Sequence, residues 1–70
     1  MKVINLKIAD VLEKKNITRY EIAKRTNIKF QTIDRYYKNQ VSKYDKYVLL
    51  KICMAIDCDI SDILKIEELP

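Results

Sequence analysis

Lysine and arginine are the most numerous charged residues of this sequence, and their chemistry is the binding of anions. The 70-residue chain holds 14 lysines and arginines against 10 aspartates and glutamates. Eleven of the basic residues lie within residues 14–51 with only three acidic ones, a local charge of +8, whereas residues 52–70 carry −4. A concentrated positive segment beside an acidic one predicts a polyanion as the partner of one face. Charge alone leaves open the alternative of a lysine-rich surface that only contacts solvent.

Catalytic and cofactor chemistry has few residues to draw on. Ser42 and Ser61 are the only serines, and the chain has no histidine to serve as their base. It also has no glycine, which excludes a Gly-rich phosphate loop. Four residues separate Cys53 from Cys58, which fits neither a C-x-x-C redox pair nor a zinc site, and their apolar neighbours predict a packing role. We expect no enzyme activity, no cofactor, no metal and no small-molecule ligand.

No segment of the sequence suits a membrane. The longest apolar run, residues 52–56, is far shorter than the roughly 20 residues of a membrane-spanning helix. Asn5, Lys7 and Asp10 interrupt the N-terminal segment, so it has no apolar stretch typical of a secretion signal. We therefore expect a cytoplasmic protein, and 70 residues suffice for one small domain.

Helical periodicity organises the chain. Ile4, Ile8, Val11 and Leu12 recur at three- and four-residue steps and predict a first helix near residues 5–15. The apolar spacing predicts four further helices, which begin near residues 19, 29, 46 and 60. Alternation typical of strands is nowhere sustained, so the expected fold class is all-α.

Capping residues support these boundaries. Thr18 and Glu21 form a T-x-x-E capping box, which predicts a helix that begins at Arg19. Asp45 and Asp59 are the expected N-caps of the fourth and fifth helices. Because the chain lacks glycine, asparagine and aspartate must supply the left-handed turns between helices. The residues that fall at the four junctions are Asn16, Asn27, Asn39 and Asp57.

The second and third predicted helices are joined by a very short turn. The second must end near Arg25 or Thr26, and the third begins by about Lys29. Two short helices in this arrangement, with the small Ala23 where they approach each other, are typical of a helix-turn-helix.

These residues resemble the lambda-repressor-like family (Cro/cI, or XRE-type) of DNA-binding domains. The resemblance centres on Thr18–Ala23, Asn27–Ile28 and Thr32–Ile33, and it extends over residues 4–66. It implies a compact five-helix domain with its helix-turn-helix at about residues 18–38. It also implies a core formed by the motif positions Ala23, Ile28, Ile33 and Tyr36.

The resemblance implies a role for each exposed position of the motif. The residues expected to contact DNA phosphates are Arg19, Lys29, Thr32, Lys38 and Lys43. The residues expected to contact bases are Phe30, Gln31 and Arg35. Glutamine can pair with adenine, arginine can pair with guanine, and an aromatic edge can pack on a thymine methyl group. Phe30 departs from the family, which often has a polar residue there, and packing against its own domain or a partner is the open alternative.

The function we expect is a sequence-specific, double-stranded DNA-binding transcriptional regulator. A recognition helix near residues 29–38 would enter the major groove, and a homodimer would bind a two-fold site with half-sites roughly 34–36 Å apart. We expect the fourth and fifth helices and the tail with Leu69 to form its interface. The rival hypothesis is a protein-interaction module, such as an antitoxin-like or anti-repressor partner, that reuses the fold without binding DNA.

Overall fold

Five helices lie between two short strands in the computed structural model, which describes all residues from Met1 to Pro70. The elements in chain order are β1 (Lys2–Leu6), α1 (Ile8–Lys15), α2 (Arg19–Thr26), α3 (Phe30–Tyr37), α4 (Lys46–Ile56), α5 (Ile60–Ile63) and β2 (Leu64–Glu68). The predicted five-helix fold with its helix-turn-helix is confirmed. The two strands add an element that the expected all-α class did not contain.

The strands pair with each other as an antiparallel ribbon. Lys2 lies opposite Glu68 and Leu6 opposite Leu64, which joins the two ends of the chain. The expected start of the first helix was therefore wrong: α1 begins at Ile8, and Ile4 lies in β1 with half of its side chain exposed. A five-residue strand whose paired residues lie 58 to 66 positions away leaves no local pattern that distinguishes it from a helix.

The predicted caps stand at the helix starts. Thr18 and Glu21 form a complete capping box, and Asp59 forms another with Asp62. The Asp45 carboxylate accepts hydrogen bonds from the first turn of α4. Asn16, Asn27, Asn39 and Asp57 are the four residues with positive φ, between 51° and 59°, as the absence of glycine required. Side-chain caps thus fix where α2, α4 and α5 begin, and left-handed residues end α1, α2 and α4.

The core is built mainly from isoleucine and leucine on the inner faces of all five helices and at the end of β1. Eleven apolar side chains are buried: Leu6, Ile8, Leu12, Ile22, Ile33, Tyr36, Leu49, Ile52, Cys53, Ile56 and Ile63. Of the expected core positions of the motif, Ile33 and Tyr36 are fully buried, whereas Ala23 and Ile28 pack against the core while partly exposed. The helix-turn-helix therefore rests on a closed hydrophobic base.

The two cysteines lie at the C-terminal end of α4. The Cys58 amide donates to the Cys53 carbonyl over 3.0 Å, and Asp57 between them is left-handed. This is a Schellman-type helix end, in which the two side chains normally contact each other. Burial and the neighbouring Cys53 raise the pKa of Cys58 to about 12, so its thiol is protonated at neutral pH and is a poor nucleophile.

Candidate nucleic-acid interface

The start of α2 is fixed by its capping box. The Thr18 hydroxyl accepts from the Glu21 amide over 3.1 Å, and a Glu21 carboxylate oxygen accepts from the Thr18 amide over 3.1 Å. Two of the amides that a helix start leaves unpaired are thereby satisfied. Arg19 and Tyr20 are held in the first turn of α2, beside the α3 residues that they contact.

The turn between α2 and α3 is held from inside by Thr26. Its hydroxyl donates to the Ile22 carbonyl over 2.7 Å and accepts from the Ile28 amide over 3.2 Å. The side chain is buried, and Asn27 beside it has φ 59° and ψ 26°. A buried hydroxyl with both partners satisfied and a single left-handed residue fix the path of this three-residue turn. This turn therefore sets the angle between α2 and α3.

α3 has one buried face and one exposed face. Ile33 and Tyr36 are buried, and the Tyr36 hydroxyl accepts from the Asp45 amide over 3.0 Å, which ties α3 to the start of α4. Gln31, Arg35 and Lys38 are exposed. Positions that are four and seven residues apart share one side of a helix, so these three side chains project together away from the core.

Asp34 lies in the middle of α3 and contacts Arg19 and Lys38, two of the residues that are predicted to contact DNA phosphates. Its carboxylate forms an ion pair with the Arg19 guanidinium and another with Lys38 Nζ at 3.0 Å. The hydrogen bond from Lys38, and after it the one from Arg19, holds the pKa of Asp34 below its usual value. Arg19 and Lys38 are therefore oriented by a carboxylate on α3.

Aromatic rings complete the support of Arg19. Its guanidinium lies over the Tyr37 ring, 4.5 Å from the ring centroid, and 5.8 Å from the Phe30 centroid. The Phe30 and Tyr20 rings stack with their centroids 4.4 Å apart and their planes 17° apart. Cation–π contact and stacking hold these side chains against the domain. The half-buried Phe30 ring rests on Tyr20, so it packs against its own domain, and its expected contact with a base stays a prediction.

The other residues that are predicted to contact DNA differ in exposure and in their hydrogen bonds within the chain. Lys29, Gln31, Arg35 and Lys43 are exposed, and none of these four side chains makes a hydrogen bond or an ion pair within the chain. Lys29 is the N-cap of α3, and the carbonyl of this residue accepts from the amide of the half-buried Thr32. Lys43 lies in the segment between α3 and α4. Free cationic and amide groups at these positions are available to an anionic partner.

Sequence reasoning missed Asp34 as a member of this surface. Asp34 was counted only as an opposing charge, yet its spacing to Lys38 is the i, i+4 spacing of a helical ion pair. That spacing could have identified the pair. The contact from Arg19 to Asp34 joins two helices, so it depends on the turn geometry and has no signal in the sequence.

The structure contains neither a cluster of metal ligands nor a helix that could span a membrane. No group of three or more metal-ligating residues stands close enough together to hold a metal ion. No helix combines the length and the apolar character needed to cross a bilayer.

A helix-turn-helix on a closed helical core, with basic residues on the outer face of its second helix, defines the class of DNA-binding domains. The comparisons agree: residues 7–68 match the Cro/C1-type HTH DNA-binding domain family, and the chain belongs to that family. The resemblance to the lambda-repressor-like group is thereby confirmed.

Two solved structures share the fold. A predicted DNA-binding protein from Bacteroides fragilis superposes with a TM-score of 0.78 at 22% identity, covering 90% of this chain and 100% of its own. The transcriptional regulator VanUg superposes with a TM-score of 0.74 at 20% identity, covering 97% of this chain and 89% of its own. No curated protein matches the sequence significantly. At these identities the two structures show a common fold.

Proposed function

We propose that this domain is a sequence-specific, double-stranded DNA-binding transcriptional regulator that inserts α3 into the major groove. The observation that carries the proposal is the exposed face of α3, where Gln31 and Arg35 project with no partner in the chain. α3 has eight residues and is therefore about 12 Å long, which suits the width of a major groove. The family membership supports DNA binding, and the fold of VanUg, a transcriptional regulator, supports the regulatory role.

The proposed contacts fall into two groups. Gln31 and Arg35 read base edges, glutamine through the N6 and N7 atoms of adenine and arginine through the O6 and N7 atoms of guanine. The residues that contact phosphates are Arg19, Lys29, Thr32, Lys38 and Lys43. Phe30 supports Tyr20 and Arg19 from the domain side and presents its remaining exposed edge to the groove. Phosphate contacts set the register on the duplex, and base contacts set its sequence.

The bound form that we propose is a homodimer on a two-fold operator. A single domain of this size offers one short recognition helix, and two copies on half-sites roughly 34–36 Å apart double the sequence that is read. Occupancy of the operator in the cytoplasm then blocks or recruits polymerase. We assign no catalytic step to the chain.

Selection from a random duplex DNA pool at about 150 mM salt tests the proposal, since non-specific binding is weakened there. Enrichment of an inverted repeat with half-sites one helical turn apart is the expected result. Enrichment of a single half-site would retain the function and contradict the dimer. If folded protein enriches nothing, sequence-specific binding is wrong and the protein-interaction module becomes the better hypothesis.

Two alanine variants test the division of roles on the selected site. Arg35→Ala should weaken binding by about 5- to 150-fold and relax the preference for one base pair, because it removes a bidentate base contact. Lys43→Ala should weaken binding to all sequences alike. Lys65→Ala, a change of the same kind in β2, is the matched control and should leave binding unchanged. Equal loss of base preference in the Arg35 and Lys43 variants would contradict the division.

A further inference from the structure

α4 carries an apolar stripe on its outer side that no part of the chain covers. Tyr47, Leu50 and Met54 are 63%, 54% and 72% exposed, although this helix also buries Leu49 and Ile52 on its inner side. Residues at these three- and four-residue steps lie along one side of a helix. A second apolar face on a helix whose first face already fills the core indicates an interaction surface.

The stripe continues into a shallow groove between α4 and the start of α5. The groove has a volume of about 620 Å³, and its walls are mainly apolar, with Leu50, Cys53, Met54 and Ile60 among them. Ile60 is 42% exposed, so it extends the apolar surface beyond α4. The stripe and this groove together are called the α4 surface below.

Opposite charges stand at the two ends of the α4 surface. Lys46 lines the groove at the start of α4, and Asp57 and Asp59 line it at the other end. None of these three side chains forms an ion pair within the chain. The ends of the surface are therefore electrostatically complementary to each other and are not neutralised by their own domain.

The charges are placed symmetrically about the apolar centre. Lys46 lies four residues before Leu50, and Asp57 lies three residues after Met54, so each charge stands about one helical turn from the nearer apolar residue. Leu50 and Met54 thus mark the apolar centre between the two charges. If a second α4 is laid antiparallel across it, each Lys46 comes level with the Asp57 of the other copy, and the apolar side chains meet in the middle. This is the self-complementarity that an isologous interface requires.

We propose that the α4 surface is the homodimer interface, with the α4 helices of two copies packed antiparallel about a two-fold axis near Leu50 and Met54. Lys46 of each copy pairs with the acidic end, Asp57 and Asp59, of the other. The inference rests on the proposed function, which requires two copies on one operator, and it assigns the dimer to α4 and the start of α5 rather than to the tail that contains Leu69.

The strand ribbon is the competing apolar surface. Ile4 and Ile66 lie opposite each other in the register and are 53% and 71% exposed. Its carboxylates, however, are already paired within one chain, since Glu68 binds the N-terminal amine and Glu67 binds Lys7. The charges of the ribbon that have no ion-pair partner, Lys2 and Lys65, are both positive. On the α4 surface, Lys46 lies over the Tyr47 ring and Asp59 caps α5, but neither they nor Asp57 has an oppositely charged partner. Charges of both signs are thus open to a second copy, which gains more there.

A matched pair of variants separates the two surfaces. Met54→Glu and Ile66→Glu each place a carboxylate on a residue that is 72% or 71% exposed, so neither change should unfold the domain. Sedimentation equilibrium of the whole chain should show a dimer for the natural sequence and for Ile66→Glu. Met54→Glu should raise the dimer dissociation constant at least 10-fold. Circular dichroism checks that both variants are folded.

Lys46→Glu tests the charge pairing. It should weaken the dimer by setting like charges opposite each other, and 0.5 M salt should reduce that loss because screening reduces the repulsion. The interface is overturned if the natural chain stays monomeric with and without a two-half-site duplex. It is overturned as well if Ile66→Glu, and not Met54→Glu, disrupts the dimer.

Binding to a duplex with one half-site distinguishes this inference from the function on which it rests. Met54→Glu should bind one half-site as the natural chain does, while its affinity for the full operator falls. If neither protein binds the half-site selectively, the proposed function is wrong irrespective of the dimer. The natural chain and Met54→Glu could both bind the half-site selectively while Met54→Glu and Ile66→Glu dimerise equally well. In that case only the assignment of the dimer to the α4 surface is wrong.

Discussion

At the scale of single residues, the helix junctions depend on asparagine and aspartate. Asn16, Asn27 and Asn39 have φ values of 55° to 59°, and Asp57 has 51°. In this region most residues suffer a clash between the side chain and the backbone, which asparagine and aspartate tolerate because their short polar groups can hydrogen-bond locally. Asn39 adds a second role, since its side chain accepts from the Leu6 amide over 2.9 Å and donates to Asn5 over 2.8 Å. It therefore links the end of α3 to β1.

The turn of the helix-turn-helix gives the first prediction. Asn27→Ala should lower the free energy of unfolding by about 1 kcal/mol, because alanine pays the left-handed strain without a polar side chain to offset it. Asn27→Gly should change it by no more than a few tenths of a kcal/mol, since glycine adopts these angles freely. Urea unfolding followed by circular dichroism measures both. Equal stability of the two variants would show that the left-handed angle is not what selects asparagine here.

Residue types therefore predict the junctions well and the side-chain network poorly. The absence of glycine makes the positions of asparagine and aspartate informative, and all four predicted junctions are left-handed. The ion pair of Arg19 with Asp34 has no such signal, because it joins residues 15 positions apart whose separation is set by the turn. The sequence likewise gives no sign that the Gln31 and Arg35 side chains have no partner within the chain, because this depends on the orientation of neighbouring side chains.

At the scale of elements, the ribbon of β1 and β2 is the part that the sequence did not predict. Each strand has five residues, and alternation over so few positions coincides with the helical spacing of Ile4 and Ile8. The pairing is fixed instead by contacts between the chain ends. The Asn5 side chain donates to Glu67 over 2.7 Å, and Lys7 Nζ lies 2.9 Å from the same carboxylate oxygen. Glu67 thereby connects both strands and the start of α1.

Glu67 makes the ribbon sensitive to acid. Hydrogen bonds from Asn5 and then from Lys7 hold the pKa of the Glu67 carboxyl below its usual 4.5. A carboxyl with a depressed pKa in the folded state contributes stability above its unfolded pKa, and that contribution is lost as the pH falls through the folded pKa. The natural chain should therefore be more stable than Glu67→Gln at pH 7, and the difference should shrink as the pH falls below about 4.

The measurement is the unfolding free energy from urea titrations between pH 2.5 and 7. Glu13→Gln is the matched control, because Glu13 is exposed and its side chain makes no hydrogen bond or ion pair in the chain. The difference between this control and the natural chain should stay small at every pH. A Glu67→Gln variant that remains equally less stable at pH 2.5 would show that the carboxylate charge is not the source of the effect.

At the scale of the whole molecule, positive charge is concentrated on the helix-turn-helix and its flanks. Residues 14–51 carry +8, and residues 52–70, which form the end of α4, α5 and β2, carry −4. The domain extends over 36 × 24 × 17 Å, and the two segments meet at a cleft that Lys14 and Lys15 line together with Asp57 and Asp62. Such an asymmetric field draws a polyanion to the basic side and orients the domain as it approaches.

The salt dependence of DNA binding measures how many of these charges meet phosphates. Each neutralised phosphate contributes about −0.9 to the slope of log K against log salt concentration, because a condensed counterion is released. Lys29 and Lys43 have no carboxylate partner in the chain. Lys29→Ala and Lys43→Ala should therefore each make the slope about 0.9 less steep, and the double variant about 1.8. Lys65→Ala, in the acidic region, should leave the slope unchanged. Equal slopes for all four variants and the natural chain would show that the basic face lies away from the DNA. A change with Lys65→Ala alone would place the DNA on the ribbon side of the molecule.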